Sequence, residues 1–285
     1  MLLIPALTMF AIFSVYPILT GVYLSVTNYD IASPVAEVFV GFNNYVKALT
    51  DYGEGYGFYD AFLWTFIFSL AVCAISYIVG FALALVLNQN FKFRGVFRGL
   101  LLLPWVIPPA VYSTNWRWIL NSEFGFINKF LLNNGWIQQP ILFLSTSTLA
   151  QQSVIGIGVW RSYPFMMLMI LAGLQSISDE LYEAASIDGA NKLKSFIHIT
   201  LPAMKNVSII CTCIMFVWTF NTYEHIFLLT AGGPLTSTTP LSIFIYNAAF
   251  FRGRMGYAAA IAVLTLIVLL IVSFFYLRFQ RRLDD

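Results

Sequence analysis

The sequence predicts an all-α polytopic membrane protein of about six transmembrane helices, and three observations carry that prediction. Hydrophobic residues make up 59% of the chain and charged residues only 10%, against roughly 25% charged residues in an ordinary soluble domain. The apolar residues come in runs rather than stripes, with no charge between Asp60 and Lys92 or between Arg254 and Arg278. Each of these runs exceeds the ~20 residues that a helix needs to cross a bilayer. Six spans read as about 2–26, 61–87, 99–118, 150–174, 207–227 and 255–277, forming a single transmembrane domain over 1–285 with no room for a sizeable soluble one.

Span one contains Pro5 and Pro17, which a membrane helix accepts when neighbouring groups satisfy the freed carbonyls. It lacks the basic start and small-residue cleavage site of a secretory signal, so it is expected to be retained. An acidic segment follows, with Asp30, Glu37, Asp51, Glu54 and Asp60 against Lys47, and with Gly41-Phe42-Asn43-Asn44-Tyr45 as a turn leading into a short helix. Span three opens on Leu103-Pro104-Trp105-Val106-Ile107-Pro108-Pro109, where three prolines predict a break or kink. A second polar segment, 123–147, carries turn signals at Phe124–Asn128 and at Asn133-Asn134-Gly135. Between spans five and six, Leu229-Thr230-Ala231-Gly232-Gly233-Pro234 ends the helix, and Thr236 to Thr239 are expected to be polar and flexible.

Charge placement sets the expected orientation. Lys92, Arg94 and Arg98 follow span two, Lys192, Lys194 and Lys205 precede span five, and Arg278, Arg281 and Arg282 end the chain, together nine of the 15 basic residues. The positive-inside rule therefore places both termini and the two basic loops in the cytoplasm. Each cluster flanks a span, which argues against a nucleic-acid surface. Cys73, Cys211 and Cys213 all fall within spans and form no Cys-x-x-Cys pair, so they are expected to be apolar fillers, neither a disulfide nor a metal site.

The loop between spans four and five, 178–205, reads as two short helices joined at a glycine. Ser178 suits a cap, Asp179 and Glu180 lie in the first turn, and Gly189 suits a left-handed terminator. Leu193, Phe196 and Ile197 have helical spacing in the second segment, which runs to Pro202 at the start of span five. Ala184 and Ala185 would let another backbone approach closely. Such a knob either docks in a partner's groove or is one more charged cytoplasmic loop, and periodicity leaves both readings open.

The residues of this loop carry a resemblance. Glu183-Ala184-Ala185, three residues, Gly189, nine residues, Ile199, one residue and Leu201-Pro202 match the hallmark of binding-protein-dependent ABC importer permeases at every fixed position. The chain is most similar to the sugar and glycerol-phosphate branch, and within it to the first of two non-identical permeases, the maltose-permease-like inner membrane component. Tyr16-Pro17, Ser25-Val26-Thr27-Asn28-Tyr29, Gly41–Tyr45, Leu102–Pro108 and Leu229–Pro234 add to the likeness. The large outside domain of the maltose permease has no counterpart here.

The resemblance implies a type I importer fold in a prokaryotic inner membrane. It implies four kinds of neighbour: a second permease forming a heterodimer, a pair of ATPase subunits, an extracytoplasmic solute-binding protein and membrane lipid. Glu183, Ala184, Ala185, Asp188, Gly189, Leu201 and Pro202 are the implied ATPase-coupling residues. No phosphate loop of the Gly-x-x-x-x-Gly-Lys-Ser/Thr kind occurs, so no cofactor is expected in this chain. ATP and Mg are expected on the partner ATPase, and no catalytic residue is expected here.

Span five carries Trp218, Asn221, Thr222 and His225 at i, i+3, i+4 and i+7, with Thr219 and Glu224 beside them. Amides, hydroxyls and carboxylates bond sugar hydroxyls, and aromatic rings cover the apolar faces of sugars. The stripe therefore either borders a solute path or anchors the helix at the outer interface. Arg117 and Arg161 are candidates for a charge at membrane depth, with extension to the outer surface the expected alternative, and His198, without a second ligand nearby, is expected to be solvated or packed. An ion-coupled secondary transporter would need carboxylates within its spans, where Glu224 is the only candidate, and a lipid-modifying enzyme would need clustered Asp, His or Cys ligands.

Overall fold

The computed structural model describes residues 3–31, 37–50 and 55–284. Leu2, Asp51 and Glu54 of the reading above lie outside them. Among the described residues the structure is helical apart from one isolated antiparallel bridge, Thr27 to Phe39. Four helices are long and apolar enough to cross a membrane: Ile4–Ser25, Phe58–Asn88, Ser147–Gln175 and Met255–Tyr276. Two bent pairs, Arg94–Val106 with Pro109–Ile119 and Lys192–Ala203 with Lys205–Phe220, raise the number to six if each is one span. The chain divides into two compact units, Met1–Thr65 with Thr239–Phe274, and Phe66–Thr238 with Phe275–Asp285.

Prolines shape several of these elements. The first pair bends by 92°, because Ile107 and Pro108 each precede a proline and are held extended, with ψ of 127° and 143°. Pro109 then opens the next helix, where its missing N–H is no loss. Pro17 and Pro202 are each preceded by a five-residue π turn, Ala11–Val15 and Phe196–Thr200. The wider turn takes up the bond that a proline ring cannot make.

In the first unit the turn residues do structural work. Asn44 is buried, and its side-chain amide donates to the carbonyls of Ser25 at 3.0 Å and Thr27 at 2.7 Å. The Tyr45 hydroxyl meets Ser25 Oγ at 2.6 Å, and the Val38 N–H donates to Asn28 Oδ1 at 2.7 Å. The segments around Ser25–Tyr29 and Gly41–Tyr45 are therefore one clasp at the end of the first helix.

In the second unit, Cys73, Phe81, Met166, Met167, Ile170, Met204, Cys211 and Met215 share a core. Lipid offers no hydrophobic drive between helices, so shape complementarity must hold them. At Gly80 a Cβ would stand 2.7 Å from Met166 Cβ and 2.8 Å from the Met167 backbone nitrogen, so only hydrogen fits. The Tyr77 hydroxyl donates to Ser208 Oγ at 2.8 Å and Cys73 Sγ to the Thr212 carbonyl at 3.3 Å, tying Phe58–Asn88 to Lys205–Phe220.

Within the stretch expected to be flexible, Thr236 to Thr239, Thr236 is exposed but the last two residues pack inward. Thr238 and Thr239 are buried. Thr238 Oγ1 donates to the Gly233 carbonyl at 2.6 Å and meets Thr230 Oγ1 at 2.8 Å. Hydroxyls that close backbone bonds locally explain why a polar stretch packs inward.

Candidate functional site

The second unit holds a cavity of about 590 Å³ beside two helix breaks. Trp105 stands at the end of Arg94–Val106, Pro109 and Tyr112 begin the helix after the bend, and Arg161 lies at the middle of Ser147–Gln175. Val217 and Trp218 come from the last turn of Lys205–Phe220, Asn221 to Tyr223 from the second break, and Glu224 and His225 from the start of Glu224–Thr230. Irregular backbone within a membrane segment is tolerated where it lines a cavity, and both breaks border this one.

The expected stripe is thus not one helical face. Lys205–Phe220 ends before Asn221, and His225 belongs to the next helix. The Asn221 amide donates to the Val217 carbonyl at 3.0 Å and the Thr222 hydroxyl to that of Trp218 at 3.3 Å, closing carbonyls that the helix end leaves open. Trp218, Asn221, Thr222, Glu224 and His225 nonetheless line the same cavity. Thr219 is buried, donates to the Met215 carbonyl at 2.8 Å, and borders a narrow adjoining void instead.

Aromatic rings frame the polar groups. Trp218 packs on Phe165 with centroids 4.8 Å apart, and the His225 ring lies 5.7 Å from Phe68 and 6.4 Å from Tyr112. His225 is 5% exposed, and its Nε2 has no hydrogen-bond partner. Arg161 does not extend to the surface as expected. It is half-buried, its guanidinium carbon stands 6.0 Å from the Tyr112 ring centroid, and its Nε is buried without a partner. Arg117 is exposed at the last turn of its helix. Sequence reasoning missed Trp105 and Tyr112, which sit more than 100 positions before Trp218. A proline-broken span next to aromatic residues was the available signal.

The 178–205 segment forms a second, separate feature. The helix Asp179–Ile187 starts with Ser178 Oγ accepting from the Glu180 N–H at 3.3 Å. It ends with the Gly189 N–H on the Ser186 carbonyl at 3.1 Å and the Ala190 N–H on that of Ala185 at 2.9 Å. This paired closure is the Schellman arrangement, and Gly189 takes the positive φ of 79° that it requires. Asn191 Oδ1 accepts from the Lys194 N–H at 2.9 Å, and the Tyr182 hydroxyl meets Thr200 Oγ1 at 2.9 Å. The knob is therefore fastened at both ends. Glu183, Ala184, Asp188, Gly189, Leu201 and Pro202 are exposed and Ala185 is partly covered. Leu181, Ile187, Leu193 and Ile197 are exposed large apolar side chains, a surface of the kind that marks an interaction site.

Helices broken around a polar cavity, with a capped knob between spans, describe a transport subunit. The chain belongs to the binding-protein-dependent transport system inner membrane component family, which matches residues 76–285. It is 33% identical over 99% of its length, and 92% of the relative's, to the trehalose/maltose transport system permease protein MalF of Thermococcus litoralis. It is 31% identical over 100% of its length and 90% of the relative's to the sulfoquinovosyl glycerol transport system permease protein SmoG of Agrobacterium fabrum. Its fold is that of a chain in a bacterial ABC transporter involved in the import of the acidic polysaccharide alginate, with TM-score 0.84 at 23% identity, covering 100% of this chain and 95% of that one. The protein is accordingly an inner-membrane permease subunit of an ABC importer.

Proposed function

We propose that this permease forms, with a second permease subunit, the translocation path for a carbohydrate-type solute, and that the cavity at the two helix breaks is its segment of that path. The observation that carries the proposal is the lining itself: Trp105, Trp218 and Tyr223 offer rings, while Asn221, Thr222, Glu224 and Arg161 offer donors and acceptors. Sugar rings need both surfaces. Relatives named for trehalose/maltose and sulfoquinovosyl glycerol transport support the solute class.

A solute-binding protein delivers the solute. The alginate importer, solved with an alginate pentasaccharide-bound periplasmic protein, supports this step. ATP and Mg act on a separate pair of ATPase subunits that dock on the knob, with Glu183, Ala184, Ala185, Asp188, Gly189, Leu201 and Pro202 as the coupling residues. Alternating access then follows if the ATPase binds one permease state more tightly than the other. The exposed apolar side chains between capped ends suit rigid docking, and the basic clusters support a cytoplasmic location for the knob and both termini.

Two measurements test this reading. A cysteine placed at Lys192 should stay unlabelled by an impermeant reagent in intact cells, and labelling from outside would reverse the orientation. The double substitution Trp218→Leu with Asn221→Leu should cut uptake while the permease still co-purifies with the ATPase. Normal uptake would remove the cavity from the path.

A further inference from the structure

Resting on the solute path proposed above, we infer that the carried solute is an acidic carbohydrate whose anionic group is received by Arg161. Arg161 lies at the middle of a 29-residue apolar helix, where a charge is costly unless it is paired or faces a polar cavity. Among the described residues no carboxylate lies within 4.0 Å of its guanidinium, and its Nε is buried without a hydrogen-bond partner. Its aromatic neighbour Tyr112 covers one side, with the guanidinium carbon 6.0 Å from the ring centroid, and the Tyr112 hydroxyl bonds part of the fork. The guanidinium borders the cavity, and a carboxylate, sulfonate or phosphate there fits such a fork of N–H groups with two parallel bonds.

Glu224 is the one carboxylate on the cavity wall. It is exposed in the first turn of Glu224–Thr230, where the helix N-terminus complements it. The wall is therefore bipolar, with an anion site at Arg161 and an acceptor at Glu224 that suits hydroxyl groups and repels a second anion nearby. Trp105 and Trp218 on the same wall offer rings to the sugar that would bridge these two groups. The solute that matches this wall carries one anionic group per ring together with free hydroxyls.

The test uses the complete importer, both permeases with the ATPase pair and the solute-binding protein, in proteoliposomes. The labelled probes are glucuronate, digalacturonate, a sulfonated glucose, glucose 6-phosphate, glucose, maltose and trehalose. The acidic probes should accumulate in preference to the neutral ones, and the spread among carboxylate, sulfonate and phosphate identifies the anionic group. Arg161→Gln should lower uptake of the preferred acidic probe by about tenfold or more, while Arg161→Lys, which keeps the charge, should retain more uptake than Arg161→Gln. Preference for the neutral probes, or equal uptake of an acidic probe by the wild type and Arg161→Gln, overturns this inference and leaves the carbohydrate path standing. Uptake of none of the seven probes overturns both. If Arg161→Gln does not assemble, the acidic-over-neutral ratio of the wild type and its persistence in Arg161→Lys decide the matter.

Discussion

Asn44 shows what a single side chain contributes here. In the sequence it belongs to a turn; in the fold its amide answers two carbonyls at the end of the first helix. Asn44→Ala would leave both buried without a donor, at a cost of about 1–3 kcal/mol. The purified complex should melt at a lower temperature as a result, and an unchanged melting temperature would show that the clasp is dispensable. Arg161 illustrates the limit of residue-level reading in the opposite direction. Its charge was plain in the sequence, but whether it reached the surface depended on Tyr112 and on the bend that brings Tyr112 to the cavity. Long-range neighbours of this kind leave no local pattern.

Helices were legible wherever an uninterrupted apolar run set their length, as in Phe58–Asn88 and Met255–Tyr276. The break near Trp105 was legible too, because consecutive prolines force an extended backbone. The break at Asn221–Tyr223 was not, since it contains neither proline nor glycine; side-chain bonds back to Val217 and Trp218 close the helix instead. The 178–205 segment was legible in detail, since a serine cap, first-turn acids and a terminating glycine are local devices. Helix contacts are different again, for Gly80 reads in sequence as an ordinary small residue of a span. Its close approach to Met166 and Met167 predicts that Gly80→Val costs about 1–3 kcal/mol through overpacking, measured as faster thermal inactivation of the detergent-solubilised complex. Wild-type inactivation kinetics would mean that the two helices can separate freely there.

For the whole molecule, the cavity and the knob must communicate if solute movement is to follow ATP hydrolysis. The chain offers a continuous route with one bend of 60°, at Met204. The knob continues through the π turn and Pro202 into Met204, which is buried in the same core as Met166 and Met215, and Lys205–Phe220 carries on to Trp218 at the cavity wall. A push on a capped, rigid knob would travel along this helix, whereas a frayed one would absorb it. Gly189→Val would strain the left-handed terminator by about 1–2 kcal/mol, and Glu183→Ala would remove an exposed carboxylate available to the ATPase. The most direct test of the account is solute-stimulated ATP hydrolysis by the reconstituted importer carrying both substitutions. The account predicts that the two permeases still pair, that ATPase retention falls and that solute stimulation is lost. Full ATPase retention with undiminished stimulation would contradict it.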